Sequence, residues 1–279
     1  MTPLKAPVTV AEALRHAASA GLPRAEAQYL LQAVLDCTRS WLIAHDTDLL
    51  SDTQQQRFQD WLSQRLDDVP LAYLVGEKEF FGLRLQVTPD TLVPRPDTEV
   101  LVQWALEQLQ GLTAPRVVDL GTGSGAIALA LASQRPDANV HMVDVSPGAL
   151  AVASGNAQRL GLTVHAHLGS WFQPLEGQAP FDLIVSNPPY VAGNDHHLRA
   201  LRHEPRSALT PGGNGLSDIA HLTKQAPAWL KPGAWLLMEH GWDQAESVAS
   251  LLHEQGFRDV SLRRDLGDQP RASGGRWAG

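Results

Sequence analysis

The sequence predicts an α/β protein in which a parallel sheet, covered by helices on both faces, follows a small all-helical domain. Three observations carry that prediction. From about residue 96, short apolar runs alternate with helical stretches. The run Val117-Val118-Asp119-Leu120 passes directly into the glycine-rich Gly121-Thr122-Gly123-Ser124-Gly125-Ala126, a strand-to-helix junction. Before residue 67, apolar residues instead recur three or four apart, the helical period.

A chain of 279 residues with 43% hydrophobic and 19% charged content can form two domains with real cores. The formal net charge of −8, with no basic run longer than Arg263-Arg264, argues against a purely electrostatic nucleic-acid binder. Cys37 is the one cysteine, so no internal disulfide or cysteine-rich metal site is expected, and it reads as a small buried hydrophobe. The opening residues 1–7 have no apolar signal region and no apolar stretch reaches membrane-spanning length, which together predict a cytosolic protein.

In chain order, Thr9-Val10-Ala11-Glu12 reads as a capping box, Gly21 as a helix stop and Pro23 as the start of the next helix. Ser51-Asp52-Thr53-Gln54 opens a further helix in the same way. Leu30, Leu31, Val34 and Leu35, then Phe58, Trp61, Leu62 and Leu66, mark the faces these helices bury. Glu79-Phe80-Phe81 and the run 83–87 flank Gly82 as a short hairpin, and Pro89, Pro94 and Pro96 stiffen a crossing loop before a helix near Asp97. Strands are then expected at 117–120, 140–144, 164–168 and 181–186, with helices from Gly125 and Pro147 between them. A helix at 219–229, a strand at 234–239, a helix at 244–255 and strands near Val260 and Ala272 complete the chain. The glycine-rich stretch 210–215 reads as a surface loop.

The glycine loop sits where doubly wound sheets bind ligands, and its helix N-terminus favours an anionic group. Gly121-x-Gly123-x-x-Ala126 also satisfies a dinucleotide fingerprint, with Asp144 spaced to grip a ribose. By itself the loop does not separate a nicotinamide cofactor from S-adenosylmethionine. Ser186-Asn187-Pro188-Pro189-Tyr190, after the run 181–185, points to the second. The Asn187 side-chain oxygen and the Pro188 carbonyl can accept both hydrogens of a planar –NH2 group, two prolines stiffen the loop, and Tyr190 offers an aromatic face. A parallel sheet places the strand before this clamp beside the strand before the glycine loop, so both open onto one crevice. A dehydrogenase would leave the clamp without a purpose.

These residues resemble the peptide chain release factor N5-glutamine methyltransferases, the PrmC/HemK family, over nearly the whole chain. The matching signatures are Pro70-Leu71-Ala72-Tyr73 with Gly76-Glu77-Lys78-Glu79-Phe80-Phe81-Gly82, Val93-Pro94-Arg95-Pro96-Asp97-Thr98-Glu99, the glycine loop, and Asn187-Pro188-Pro189-Tyr190. Glu204-Pro205 with Ala208-Leu209, and Leu237-Met238-Glu239-His240-Gly241, are similar to further family stretches. The resemblance implies a helical substrate-recognition domain (1–75), a β-hairpin linker (76–95) and a Rossmann-like class I methyltransferase domain with a seven-stranded sheet (96–279). It implies methyl transfer from S-adenosylmethionine to the glutamine amide of the Gly-Gly-Gln motif in class I release factors. Gly121, Thr122, Gly123, Ser124 and Gly125 would wrap the methionine part of the cofactor, Asp144 the ribose, and Trp171 the adenine. Asn187, Pro188, Pro189 and Tyr190 would hold the glutamine, with Asn187 also facing the cofactor. Ser170 departs from the family, standing where an acidic residue would contact the adenine amino group.

The principal rival is an adenine N6 methyltransferase holding a flipped base of DNA or RNA in the same clamp; the acidic charge and missing basic groove count against it. A noncatalytic docking module would leave the glycine loop, Asp144 and clamp unexplained. No metal is expected: His165 and His167 share a strand face and His196-His197 follow the clamp, without a carboxylate at a recognisable ligand spacing. Asp119 either tunes the cofactor loop or caps backbone amides, and Arg95 and Glu99 either contact cofactor or pin the linker. Trp41, Trp61, Trp229, Trp235 and Trp242 read as core or interdomain packing.

Overall fold

The structure, a computed structural model, describes residues 8–279. The N-terminal stretch 1–7, read above for its missing signal region, lies outside the described residues. By its contacts the chain divides into two compact units, with the boundary between Gly76 and Glu77.

The first unit is helical: α1 (Val10–Ser19), α2 (Arg24–Leu35), α3 (Arg39–Ala44), α4 (Asp52–Leu66) and α5 (Leu71–Val75). Both expected capping boxes are present, with Thr9 and Ser51 accepting from the N3 amides and Glu12 and Gln54 reaching back. Gly21 follows α1 with φ of 93°, and Pro23 stands just outside α2, as its N-cap. Leu30, Leu31, Val34, Phe58 and Leu62 are buried together, whereas Leu66, the last residue of α4, is 41% exposed. Sequence periodicity did not resolve the short helices α3 and α5. They are set by their ends, Thr38 capping the first and Pro70 and left-handed Gly76 bracketing the second. Cys37 is half-buried against this core.

The second unit opens with a hairpin, β1 (Glu77–Phe80) and β2 (Leu83–Gln86). Phe81, expected in the first strand, instead forms the turn with Gly82. Both have positive φ, 50° and 79°, as a two-residue hairpin turn requires. The hairpin, which the sequence reading set in a linker, packs by Phe80 and Leu85 into the core of this unit. Asn156 holds it by accepting from the Gln86 amide at 2.7 Å and donating to the Gln86 carbonyl at 2.9 Å.

A 3-10 turn over Pro96–Thr98 leads into α6 (Glu99–Gln108). Then follow β3 (Arg116–Leu120), α7 (Ala126–Gln134), β4 (Asn139–Asp144), α8 (Pro147–Leu160), β5 (His165–Leu168) and β6 (Phe181–Ser186). After the clamp come α9 (Arg206–Leu209), α10 (Ser217–Gln225), β7 (Leu230–Glu239), α11 (Ala245–Glu254), β8 (Phe257–Arg264) and β9 (Pro270–Trp277). The seven strands form one sheet in the order β5-β4-β3-β6-β7-β9-β8, with β5 through β7 parallel and β9 antiparallel to both its neighbours.

Alternating residues of the central strands feed two cores, as period-2 side-chain geometry demands. Val117, Met142, Leu183, Val185 and Leu237 pack with α6, α7 and α8 on one face. Val118, Leu120, Val143, Ile184, Leu236 and Met238 pack with α10 and α11 on the other. Each of these large aliphatic side chains, removed from water, contributes about 2 kcal/mol. Trp235 stands edge-on to Trp104 at 6.1 Å and Trp229 stacks on Phe172 at 5.6 Å, as packing residues. Trp242 departs from that expectation: it lies 63% exposed in the loop after β7. Among the described residues no helix is long and apolar enough to cross a membrane.

Candidate active site

The register of β3 against β6 pairs Leu120 with Ser186, so the chain leaves both strands at the same level of the sheet. The Ser186 hydroxyl donates to the Leu120 carbonyl at 2.6 Å and ties the two exits together. A cavity of about 370 Å³ opens there, at the C-terminal ends of β3, β4, β5 and β6, where parallel sheets bind ligands. Gly121, Thr122, Gly123, Ser124, Asp144, Trp171, Asn187 and Pro189 of the sequence-predicted set all line it, as does Ser170.

Three predicted residues stand behind the wall rather than in it. Gly125, with φ of 85°, is the N-cap of α7 and supports the loop from below. Pro188 is buried. Tyr190 does not line the cavity, because its hydroxyl is drawn to Glu239 Oε1 at 3.1 Å and its ring packs on the core beside α10 and α11.

The glycine loop is held from two sides. Asp144 accepts from the Gly123 amide at 2.9 Å with one oxygen and from the Ser146 amide at 2.8 Å with the other. Burial pushes the Asp144 carboxyl upward, and these backbone donors pull it back. Asp119, fully buried, accepts from the Thr122 hydroxyl at 2.7 Å and the Ala128 amide at 3.2 Å. Asp119 thus serves both of its readings, capping the Ala128 amide and holding the glycine loop through Thr122. Burial pushes Asp119 up to about 7. A side chain added at Gly123, where φ is 56°, would meet no protein atom within 4 Å, so the loop leaves a cradle open. Trp171 sits across it with left-handed φ of 49°, a conformation costly for a bulky residue, and its ring would lie 3.4 Å from a Cβ on Gly121.

The clamp loop is fixed at both ends. The Asn187 Nδ2 donates to the Thr98 hydroxyl at 3.3 Å. The Tyr190 carbonyl accepts from Gln244 Nε2 at 3.0 Å, and Gly215 comes so close to that carbonyl that a side chain there would collide with it. The stretch 210–215 thus packs against the clamp, with the Val191 amide on the Leu209 carbonyl and the Gly193 amide on the Gly213 carbonyl.

The crossing loop is secured by Glu204, which accepts from the Val93 amide at 3.0 Å and pairs with Arg95, a cavity-lining residue. Glu99 accepts from the Phe81 amide at 3.1 Å and pins the hairpin turn. Sequence reasoning assigned no role to Thr98, Glu204 or Glu239. Their signal was present only as membership in the quoted signatures.

Of the histidines, His141 was missed: its Nδ1 lies 2.9 Å from His167 Nε2, with the rings stacked, and burial pushes His141 down to about 4. A carboxylate does stand by His196 and His197. Asp195 caps their 3-10 turn, which swings its Oδ1 to 2.8 Å from His197 Nδ1 and 3.6 Å from His196 Nδ1.

The residues present suit S-adenosylmethionine: an open backbone cradle at Gly123, a carboxylate at the end of β4 and an indole ring across the loop. A family model for the methyltransferase small domain matches residues 97–232, and one for the PrmC N-terminal domain matches residues 9–76. A release factor glutamine methyltransferase of Bordetella pertussis is 51% identical over 92% of this chain and 96% of its own length. One of Escherichia coli is 43% identical over 95% of this chain and 96% of its own. Among solved structures, a methyltransferase from Pyrococcus furiosus superposes with a TM-score of 0.53 at 18% identity, covering 77% of this chain and 98% of that one, a likeness of fold alone. With identity of this level along nearly its whole length, and with its glycine loop and clamp opening on one cavity, the chain belongs to the release factor glutamine methyltransferase family.

Proposed function

We propose that this protein transfers the methyl group of S-adenosylmethionine to the side-chain amide nitrogen (N5) of the glutamine in the Gly-Gly-Gln motif of class I peptide chain release factors. The observation that carries the reading is the convergence of Asn187 and the glycine loop on one cavity, set by the Leu120–Ser186 register.

When bound, S-adenosylmethionine supplies an electrophilic methyl on a positively charged sulfur. Gly121 to Gly123 and Ser124 would hold its methionine part, Asp144 its ribose and Trp171 its adenine. An amide nitrogen is a poor nucleophile because its lone pair is delocalised. Asn187 Oδ1 would accept one of its hydrogens and orient what remains of the lone pair across the cavity, whereas the Pro188 carbonyl, expected to accept the other, stands behind the wall. Positioning with fixed dipoles supplies most of the acceleration. A general base is not needed before transfer, since the proton becomes acidic once the nitrogen carries the methyl. Tyr190 does not serve as one, because burial and the neighbouring Glu239 push its phenol well above the ordinary range.

The helical unit ending at Gly76 contributes recognition of the release factor, and the protein acts in the cytosol without membrane or direct nucleic-acid contacts. The test is transfer of labelled methyl to a purified class I release factor, its Gln→Ala variant in the Gly-Gly-Gln motif, duplex DNA and ribosomal RNA. Label on the wild-type factor alone is expected. Label on nucleic acid with none on the factor would assign the clamp to an adenine.

A further inference from the structure

We infer that Asp195, His196 and His197 form a binding site for a divalent transition-metal ion of the Zn²⁺ class, on the turn that follows the clamp. None of the three lines the methyl-transfer cavity, so the site is separate from that cavity and independent of how it is read.

Imidazole nitrogen and carboxylate oxygen are donors that Zn²⁺ takes at about 2.0–2.2 Å. Two such atoms on one ion stand about 2.9 Å apart at a right angle and about 3.4 Å apart at the tetrahedral angle. Asp195 Oδ1 lies 2.8 Å from His197 Nδ1 and 3.6 Å from His196 Nδ1, so the separations already bracket those an ion imposes. One donor atom from each residue falls within 4.8 Å of the other two, and the imidazole rings stand 3.9 Å apart between centroids. Among the described residues no other three histidine, cysteine or carboxylate side chains meet this condition, the histidines of β4 and β5 included.

The backbone brings these donors together before any ion arrives. Asp195 caps the 3-10 turn over His196–Arg199, its Oδ1 accepting from the His197 amide at 2.8 Å. The Asp195 amide donates to the Ala192 carbonyl and the Ala200 amide to the His197 carbonyl, both at 3.0 Å. Upstream, the Gly193 amide donates to the Gly213 carbonyl at 3.0 Å, and a side chain at Gly193 would press on the Gly212 backbone 3.2 Å away. The turn is therefore anchored on the side facing the clamp, and little ordering is left for an ion to impose.

Ligation changes one proton position. Without metal, Asp195 Oδ1 and His197 Nδ1 share a hydrogen bond. With metal, Nδ1 binds the ion and the imidazole carries its proton on Nε2 instead. The His196 and His197 side chains are 86% and 70% exposed, so water receives that Nε2 hydrogen and no packed group has to move. Three protein ligands leave the remaining positions of the ion to water. An ion held in this way braces the segment that leaves the clamp.

The untagged full-length protein, stripped with a chelator, is titrated with Zn²⁺ by calorimetry. One ion per chain is expected, with a Kd of about 10 μM or tighter. Asp195→Asn keeps a turn-capping side chain and removes the charged donor, and His197→Asn removes an imidazole. Each is expected to weaken binding about tenfold or more, and circular dichroism checks that both variants are folded. If either does not fold, His196→Asn replaces it under the same criterion. Excess Mg²⁺, which takes oxygen donors, should leave the Zn²⁺ isotherm unchanged. The proposal is overturned if wild type binds more weakly than about 10 μM, or if Mg²⁺ displaces the Zn²⁺. It is also overturned if Asp195→Asn binds within about tenfold of wild type, which would leave Asp195 a turn cap only. Binding that survives His197→Asn within the same limit would be adventitious capture by other histidines and overturns it as well.

Discussion

The Tyr190 hydroxyl donates to Glu239 Oε1 at 3.1 Å, joining the clamp loop after β6 to the end of β7 at a carboxylate that is 1% exposed. Tyr190→Phe would leave that buried carboxylate short of a donor. The expected loss is about 1–3 kcal/mol of unfolding free energy, read from urea denaturation. Because the phenol stays protonated across the neutral range, kcat between pH 7 and pH 9 should follow the wild-type profile. An alkaline limb abolished by the variant would instead give the phenol an acid–base role.

Asn187→Ala removes the side-chain acceptor while leaving the glycine loop intact. Turnover should fall about a hundredfold or more, with the Kd for S-adenosylmethionine held within about threefold. Single-turnover transfer and calorimetry measure the two quantities, and near-normal transfer would defeat the clamp.

Gly123→Ala probes the cradle. A methyl group at φ of 56° costs about 1 kcal/mol of stability and projects into the space left for the cofactor. Affinity for S-adenosylmethionine should drop about tenfold or more, far beyond what the small loss of stability explains. Unchanged affinity would place the cofactor away from this loop.

Asp119 makes a prediction about pH. Its folded-state pKa, about 7, lies above the ordinary carboxyl value of 3.8, so the folded chain binds its proton more tightly than the unfolded one. The stability this contributes is fully present below about pH 4 and is lost as pH rises through about 7. Subtracting the Asp119→Asn curve from wild type should expose a decline between those limits, of at most about 1.4 kcal/mol per pH unit. A flat difference curve would mean that Asp119 is ionised throughout.

Local signals were legible wherever the physics is local. The capping boxes at Thr9 and Ser51 need only four consecutive residues, and the alternation from β3 to β6 needs only side-chain period and burial on both faces. The convergence of Gly121–Gly123 with Asn187 was legible as well, because a parallel sheet obliges its loops to share one edge. Phe81 was misplaced because turn geometry overrode the aromatic preference for strand, and Trp242 because no periodicity reports the exposure of a loop residue.

By itself, then, the sequence determined the architecture, the two loops that meet and the chemistry of a planar –NH2 group, since motif, spacing and strand order act along the chain. Only the tertiary structure decided which groups hold those loops in place. Thr98 reaches Asn187 across 89 positions of sequence, Glu239 reaches Tyr190 across 49, and Glu204 reaches Val93 across 111. A buried polar group takes whatever complementary partner folding brings within hydrogen-bonding distance, and that partner's separation along the chain carries no local signature.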